Sequence, residues 1–272
     1  MSEPDEARAH WERAGLLRSV LTALTAAGID IDRLTVEDLA VTDQFHNGGR
    51  PSTLQLAALA GLDESSRNRP PLRVLDVGGG LGGPARTLAA EFGCDVTSVD
   101  LTPSYVEVAL ALTDRVGLAD RVRHQVGNAL ALPFGPGSFD IVWTQNSGMN
   151  IADKEALYAE FRRVLRDGGT LAFQEPMAGQ LAPPHFPTMW ADDESLSFLR
   201  RPEEMLALLN ELRFETRAWQ PIDPAPLPAT FPVHAVPMIV MGPERLNEIT
   251  AASARNVAEG RLVTMLGVFT RR

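Results

Sequence analysis

The fold is decided by the stretch Val74-Leu75-Asp76-Val77-Gly78-Gly79-Gly80-Leu81-Gly82-Gly83. Its first half belongs to a short apolar strand, predicted over residues 72–77, and a helix is predicted over residues 84–92. The glycines between them let the chain turn tightly and bring backbone N–H groups against a ligand with no Cβ in the way. Proteins that bind dinucleotides and proteins that bind S-adenosylmethionine both use such a loop, so further residues must decide between the two classes.

Asp76, at the end of this strand, separates the two classes. Its carboxylate would repel the pyrophosphate of a dinucleotide but would pair with an ammonium group. S-adenosylmethionine carries an ammonium and a sulfonium and has no phosphate. Asp76 therefore favours S-adenosylmethionine as the cofactor, with S-adenosylhomocysteine as the product that methyl transfer would leave.

Strands and helices alternate after a polar linker at residues 63–71. Strands are predicted at residues 72–77, 95–99, 122–126, 139–144, 170–175, 214–219 and 262–269. Helices are predicted at residues 84–92, 104–116, 154–165, 202–212 and 243–259. Such alternation is typical of right-handed crossovers and a mostly parallel sheet with helices on both faces. Residues 71–272 are therefore predicted to form one Rossmann-like α/β domain.

Three segments fall outside this alternation. Residues 1–70 carry helical signals and no strand signal, with one amphipathic face from Trp11 to Leu24, and are predicted to be a helical N-terminal cap segment. Residues 176–199 and 220–237 are rich in proline and are predicted to be irregular. Both are long for simple connections, so they are interpreted as cap insertions over a site; the alternative is that they are plain surface insertions.

Two polar residues follow later strands of the predicted sheet. Asp100 ends the second strand, 18 residues beyond Gly82, where a carboxylate can accept hydrogen bonds from both ribose hydroxyls. Its alternative role is to cap the helix that follows. Asn128 follows the third strand, where its amide oxygen would face an adenine amino group or, alternatively, serve a turn.

The order of these motifs resembles the class I S-adenosylmethionine-dependent methyltransferases, in particular their small-molecule branch of sarcosine, tocopherol and polyketide-tailoring enzymes. The resemblance covers about residues 43–219. The matching motifs are Leu75-Asp76-Val77-Gly78-x-Gly80, Val99-Asp100, Gly127-Asn128-Ala129, Leu132-Pro133-Phe134 with Ser138-Phe139-Asp140, and Arg163-Val164-Leu165 with Gly168-Gly169. The resemblance implies a seven-stranded sheet whose last strand is antiparallel.

The resemblance also implies a set of cofactor contacts at the ends of the first four strands. These are Asp76, Gly78 and Gly80 at the methionine end, Asp100 with Leu101 at the ribose, Asn128 and Ala129 at the adenine, and Gln145 beneath the sulfonium. Asn128 is a departure, because the family usually has aspartate there. An amide oxygen still accepts the adenine N–H, so the departure does not imply loss of the cofactor.

Methyl transfer from a sulfonium is an in-line displacement with an activated leaving group, so the enzyme contributes mainly alignment and exclusion of water. A general base is needed only if the acceptor is an alcohol or a protonated amine. The candidates for such a role are His46, His185, His234 and Glu175. The alternatives are that the histidines are surface or packing residues and that Glu175 pairs with a nearby arginine.

A substrate pocket is predicted next to the end of the fourth strand and in the irregular segments, where apolar bulk is concentrated. Its candidate residues are Asn146, Met149, Phe186, Met189, Trp190, Phe231 and Met238. The alternative is that the apolar members form the small core of the cap. Such a composition favours a larger and more apolar substrate than a small zwitterion.

The composition excludes several classes of partner. A formal charge of −10 with no basic run disfavours nucleic acid, and no apolar run reaches the roughly 20 residues of a membrane span. The lone Cys94 allows neither a disulfide nor a cysteine metal cluster, so no metal is predicted. The acidic start lacks the features of a signal peptide, which favours the cytoplasm.

The sequence therefore predicts a methyltransferase that acts on a mainly apolar small metabolite, in natural-product biosynthesis. The alternative is a cyclase of polyketide biosynthesis with the methyltransferase fold, in which the cofactor is retained as a structural element. A protein that binds without catalysis is a third possibility, and the retention of all five motifs argues against it.

Overall fold

A seven-stranded sheet forms the centre of the computed structural model, which describes residues 3–222, 227–228 and 231–272. The strands are β1 (Arg73–Val77), β2 (Asp95–Asp100), β3 (Val122–Val126), β4 (Phe139–Gln145), β5 (Leu165–Ala178), β6 (Phe214–Pro221) and β7 (Leu262–Arg271). Their order is β3-β2-β1-β4-β5-β7-β6. The pairs among β1 to β5 are parallel, and β7 lies antiparallel between β5 and β6. The predicted Rossmann-like sheet with its antiparallel last strand is confirmed.

Helices cover both faces of this sheet. They are α1 (Glu3–Trp11), α2 (Leu16–Ala26), α3 (Gly49–Leu59), α4 (Gly83–Phe92), α5 (Pro103–Arg115), α6 (Lys154–Val164), α7 (Pro202–Glu211), α8 (Val236–Met241) and α9 (Pro243–Ala258). Proline lies in the first turn of α5, α7 and α9, where its missing N–H would have had no partner within the helix. In the described part of the chain, no helix combines the length and the apolar character that crossing a bilayer requires.

The side chains of β1 and β4 alternate between two hydrophobic cores, one on each face of the sheet. Leu75 and Val142 pack with Phe161 of α6 on one face. Val74 and Trp143 pack on the other face, in a core that α3 and α4 complete. Because both faces are covered, these strands are nearly continuous apolar runs, which is why their positions could be predicted.

The N-terminal segment differs from its prediction in one respect. The apolar stripe from Trp11 to Leu24 is divided between α1 and α2, because Gly15 takes a left-handed conformation (φ 70°) between them. Leu16 and Val20 of α2 pack with Val108 of α5 and Val240 of α8. The first part of the chain therefore shares a core with the α/β domain.

The two irregular segments are shorter than predicted. β5 continues to Ala178, so Pro176 lies in a strand and pairs with Thr264 of β7. A proline is accommodated there because β4 pairs with β5 only as far as Gln174, which leaves this part of β5 without a parallel neighbour that needs its N–H. β6 likewise extends to Pro221, and α8 begins at Val236, inside the second segment. Residues 223–226 and 229–230 of that segment lie outside the described residues.

Candidate functional site

A cleft opens at the carboxyl ends of β1, β2, β3 and β4. Its volume is about 1210 Å³, including the solvent-filled space at its entrance. The chain leaves β1 for β2 on one side and returns to β4 on the other, and doubly wound sheets bind ligands at such a reversal of strand order. The glycine loop, α1, the loop before α3 and the turn after β4 form its walls. Of the predicted cofactor residues, the lining contains Gly78, Gly80, Asp100, Leu101, Asn128, Ala129 and Gln145.

Two glycines of the loop are required for different reasons. Gly78 (φ 72°) lies so close to Ser147 that an added Cβ would come 2.3 Å from the serine Cβ. Gly80 (φ 55°) faces open space, where an added Cβ would meet no atom within 4 Å. The first glycine therefore permits the loop to pack against the turn after β4, and the second leaves room in the cleft itself.

Asp100 is held at the edge of the cleft by two backbone donors. Oδ2 accepts from the Gly80 N–H and Oδ1 from the Thr102 N–H, both at 2.8 Å. Burial raises the pKa of this carboxyl, and the two N–H groups oppose that shift. Each oxygen keeps a second lone pair, so the helix contact considered as an alternative role and a bidentate contact with a diol are compatible.

Asp76 lies beneath the glycine loop, only 1% exposed, and does not belong to the cleft wall. Burial, followed by the charge of Asp100, raises its pKa to about 7. Among the described residues its Oδ2 has no hydrogen-bond partner. The carboxyl thus lies behind the cleft wall, and its predicted contact with an ammonium group stays a prediction.

Asn128 serves its own turn, because its Oδ1 accepts from the Leu130 N–H at 2.9 Å. It also lies in the cleft wall beside Ala129. The two alternatives considered for Asn128 are thus both compatible with its position.

Gln145 and His46 lie together at the floor of the cleft in a buried polar network. The Gln145 Oε1 accepts from the Trp143 Nε1–H at 2.9 Å and from the Thr53 hydroxyl at 3.0 Å. Its Nε2 lies 3.3 Å from His46 Nδ1, and His46 Nε2 lies 2.9 Å from Gln44 Oε1. Burial lowers the pKa of His46 to about 4, so the imidazole is neutral near pH 7.

The other three candidate acid–base residues lie outside the cleft wall. His185 bonds Glu259 through Nε2 at 2.8 Å and contacts Arg255, in a charged cluster on α9. His234 precedes α8 and does not contribute to the lining. The sequence placed both in irregular segments, and such segments turn only some of their side chains toward a site.

Glu175 points into the turn after β4 rather than into the cleft. Its Oε1 accepts from the N–H groups of Gly148 and Ser147, at 2.8 and 3.2 Å. Burial raises its pKa to about 7, and the Lys154 charge opposes that shift. These amides take the place of the arginine considered as an alternative partner, so Glu175 fixes the backbone that carries the cleft residues Asn146 and Ser147.

The substrate candidates divide in the same way. Asn146, Met149, Met189 and Trp190 line the cleft. Phe186 packs behind them against Met149 and Trp190. It therefore belongs to the small core of the cap, which was the alternative to a place in the pocket. Phe231 and Met238 do not belong to the lining, because the second irregular segment ends in α8, which packs on α2.

Sequence reasoning missed an aromatic corner made by Trp11, Phe45 and Tyr105, all of which line the cleft. The ring centroid of Trp11 lies 5.6 Å from that of Phe45 and 6.3 Å from that of Tyr105. Trp11 also donates to Asn150 Oδ1 at 3.1 Å, which ties α1 to the turn after β4. The available signal was Trp11 itself, a large residue at the end of an amphipathic stripe that was interpreted as core.

Comparison with known proteins identifies the type of domain. Residues 75–173 match a family model described as a methyltransferase domain. A probable tocopherol O-methyltransferase of the chloroplast from Oryza sativa subsp. japonica is 38% identical over 114 residues, which are 42% of this chain and 31% of that protein. The matched region thus spans about a third of that relative's length.

Two solved structures share the fold over nearly the whole chain. A geranyl diphosphate C-methyltransferase from Streptomyces coelicolor A3(2), in complex with Mg²⁺, geranyl-S-thiolodiphosphate and S-adenosyl-L-homocysteine, has a TM-score of 0.72 at 17% identity and covers 100% of this chain and 99% of that one. The [4+2]-cyclase SpnF has a TM-score of 0.63 at 19% identity and covers 94% and 95%. At these identities the likeness establishes the fold. The family match adds that residues 75–173 resemble a methyltransferase domain, in agreement with the type of domain predicted from the motifs.

Gly80→Val should abolish binding of S-adenosylhomocysteine, measured by calorimetry against a micromolar wild type (about −8 kcal/mol). The valine side chain would project into the open space of the cleft. Gly117→Val is the matched control, since Gly117 also has a positive φ (69°) and open surroundings but lies at the end of α5, away from the cleft. Both variants should lose about 1–2 kcal/mol of stability from the left-handed backbone. Equal affinity in the two folded variants would mean that Gly80 serves the turn alone.

The buried Asp76 predicts a pH dependence of stability. Because its pKa is about 7 in the folded protein against an ordinary value of 3.8, the folded state binds more protons than the unfolded chain between these values. The free energy of unfolding should therefore fall as pH rises from about 4 to 7, by at most about 1.4 kcal/mol per pH unit from this group. Asp76→Asn should make the fall measured by urea unfolding shallower, in a profile to which the buried Glu175 also contributes, whereas the exposed Asp114→Asn should leave it unchanged. A wild-type slope in Asp76→Asn would contradict the assignment.

Proposed function

We propose, since residues 75–173 match a methyltransferase domain, that the protein binds S-adenosylmethionine in this cleft and transfers its methyl group to a mainly apolar small metabolite. The observation that carries the proposal is the row of groups along the ends of β1, β2 and β3: open space at Gly80, the doubly held Asp100, and the Asn128-Ala129 turn. That row leads into an apolar wall formed by Met149, Met189 and Trp190.

The charges of the cleft suit this cofactor. Of the two carboxylates that the described residues contribute to its wall, Asp43 is paired with Arg86, which leaves the negative charge at Asp100. In a buried setting such a charge favours a cationic ligand. In the proposed complex Asp100 accepts the ribose hydroxyls, Asn128 and Ala129 contact the adenine, and the loop at Gly78 and Gly80 borders the methionine part. The bound cofactor supplies an electrophilic methyl group on its sulfonium.

The far wall indicates the class of acceptor. The side chains beyond the cofactor residues are large and apolar: Trp11, Met149, Ile151, Met189 and Trp190. A wall of rings and thioethers binds apolar surface. The described residues of the cleft wall include no lysine or arginine that would pair with a phosphate. The proposed substrate is therefore an uncharged apolar metabolite, in keeping with the tocopherol relative and a role in natural-product biosynthesis, rather than a diphosphate. The proposed location is the cytoplasm, in keeping with the single cysteine, which is buried.

His46 is proposed to contact the acceptor atom. It is a neutral imidazole in the cleft wall. Its Nδ1 lies 3.3 Å from Gln145 Nε2, which is long for a hydrogen bond. An acceptor hydroxyl that donates to Nδ1 would replace this weak contact and be oriented for attack on the methyl group. Because its pKa is low, His46 would orient the acceptor, and the proton that a hydroxyl loses on methylation would leave to solvent through the open cleft.

The alternative function is a cyclase with the cofactor as a structural element. The likeness to a [4+2]-cyclase over 94% of the chain favours this second candidate, since the same apolar pocket would fold a linear substrate. The two functions differ in what happens to the cofactor, because a cyclase leaves it unconsumed.

Incubation with S-adenosylmethionine and a panel of apolar phenols and alcohols should give a product heavier by one CH₂, with S-adenosylhomocysteine formed in equal amount, as followed by mass spectrometry. Trp190→Ala should raise KM about tenfold or more, because the lost ring lines the apolar wall. Conversion of a linear precursor without change of mass, supported equally by S-adenosylhomocysteine, would establish the cyclase instead.

His46→Gln should lower kcat about tenfold or more while the affinity for S-adenosylhomocysteine stays within about twofold, because the loss concerns the acceptor and not the cofactor. His185→Gln is the control, since this histidine lies in the charged cluster on α9. Equal kcat values for His46→Gln and wild type would remove His46 from the reaction.

A further inference from the structure

We infer that Trp143, two residues before the cleft in β4, is a positioning residue that determines which nitrogen of His46 carries the proton. The indole acts through the amide of Gln145, which lies between the two rings. The assignment of the tautomer follows from hydrogen-bond chemistry alone, and its effect on turnover rests on the role proposed above for His46.

The first step is the orientation of the Gln145 amide. Trp143 and Gln145 alternate with Thr144 and so lie on the same face of β4, and the Trp143 Nε1–H lies 2.9 Å from Gln145 Oε1. An indole nitrogen can only donate, so the amide must turn its oxygen toward Trp143. Trp143 is fully buried, which leaves its N–H no water to bond instead.

A second anchor, on the neighbouring strand, requires the same orientation. Gln174 is paired with Gln145 across β4 and β5, and its Nε2 donates to the Asn47 carbonyl at 2.7 Å. A backbone carbonyl can only accept, so Gln174 must present its Oε1 to Gln145, 3.0 Å from Nε2. Turning the Gln145 amide would bring donor against donor at Trp143 and acceptor against acceptor at Gln174.

The orientation of Gln145 then decides the tautomer of His46. The Gln145 Nε2 directs its second hydrogen toward His46 Nδ1 at 3.3 Å, so Nδ1 must be the unprotonated nitrogen. The proton is therefore on Nε2, where Gln44 Oε1 accepts it at 2.9 Å, while Gln44 Nε2 donates to the Thr87 hydroxyl at 3.1 Å. A proton on Nδ1 could instead point to the Asn47 carbonyl at 3.3 Å, but it would then oppose the Gln145 N–H. The Thr53 hydroxyl, 3.1 Å from Nε2, donates to Gln145 Oε1 and so offers Nε2 a lone pair, which also requires the proton on Nε2.

This arrangement gives the cleft a histidine whose lone pair is on a known nitrogen. Nδ1 is the atom at which an acceptor O–H or N–H can donate, and Nε2 is occupied by Gln44. A wrong tautomer would present an N–H to the acceptor and oppose its approach, which is how loss of an orienting partner impairs a catalytic histidine.

The test is the ¹⁵N spectrum of the imidazoles in the full chain labelled with ¹⁵N-histidine, with His46 identified among the five histidines by its absence in His46→Gln. The wild type should show the shift of an unprotonated nitrogen at Nδ1 and of a protonated one at Nε2. Trp143→Phe keeps an aromatic ring but removes the donor, so both shifts should move toward each other or exchange. Trp219→Phe is the matched control, because that ring packs on Phe173 and Phe269 outside the network.

Gln145→Glu provides a second variant in case the buried Trp143→Phe fails to fold. The new carboxylate has acceptors on both oxygens, so it keeps the indole bond and should draw a proton onto Nδ1. A protonated Nδ1 in the wild type would overturn the inference. Wild-type shifts in folded Trp143→Phe or, if that variant does not fold, in Gln145→Glu would overturn it as well.

Turnover distinguishes this inference from the proposed function. A change of tautomer in Trp143→Phe should lower kcat about tenfold with KM for S-adenosylmethionine unchanged, the size of effect typical of an orienting partner. A changed tautomer with unchanged kcat supports the positioning by Trp143 and overturns the role proposed for His46.

Discussion

The glycine loop after β1 is the constraint on which the rest of the site depends, because three other segments approach it where no Cβ is present. A Cβ on Gly83 would lie 2.4 Å from the Asp43 carbonyl, and one on Gly79 would lie 2.0 Å from the Ser98 hydroxyl. Ser147 approaches Gly78 in the same way. The loop before α3, the end of β2 and the turn after β4 can therefore meet around the loop only because the loop is glycine.

The same convergence explains an ion pair that would otherwise be costly. Arg86 of α4 and Asp43 lie 2.8 Å apart with 0% and 1% of their side chains exposed, and Arg86 also donates to the Leu81 carbonyl. Burial of two charges is favourable only with good geometry and further hydrogen bonds. Arg86 makes such bonds by donating to the Ala109 carbonyl and the Thr113 hydroxyl. The pair attaches the loop before α3, and with it His46, to the glycine loop. The position of His46 in the cleft thus depends on the buried pair formed three residues before it in the same loop.

Local signals predicted the sheet and the cofactor side of the cleft well. Apolar runs between turn residues are enough to locate strands covered on both faces, and glycines or acids just after a strand must lie at one edge of a parallel sheet. This is why Gly80, Asp100 and Asn128 were predicted to lie together and do. Asp76 lies at the same edge but outside the cleft wall, because a strand end specifies the edge, whereas the direction of a side chain above or beneath the loop depends on packing.

The substrate side was harder to predict because its residues come from segments without periodic signals. His185 and Glu175 were placed correctly along the chain, yet His185 turns to Glu259 and Glu175 turns to the amides of Ser147 and Gly148. Trp11 was interpreted as core, although its N–H reaches Asn150 and its ring lies in the cleft. The direction of each of these side chains depends on a partner more than 20 residues away in sequence. Neither the spacing nor the composition of the sequence predicts such a partner.

Trp143 and Gln145 of β4 orient a neighbouring side chain and do not titrate, which suits the proposed methyl transfer. The methyl donor is activated by its own positive charge, so the protein must mainly hold the acceptor in line and exclude water. A rigid array of amides does this better than a titrating side chain, because each neutral hydrogen bond fixes a direction without placing charge beside a sulfonium. Trp143, Gln145 and Gln174 form such an array on two adjacent strands, where the sheet itself holds their spacing. The neutral His46 is then the last member of a network whose geometry begins in the hydrophobic core.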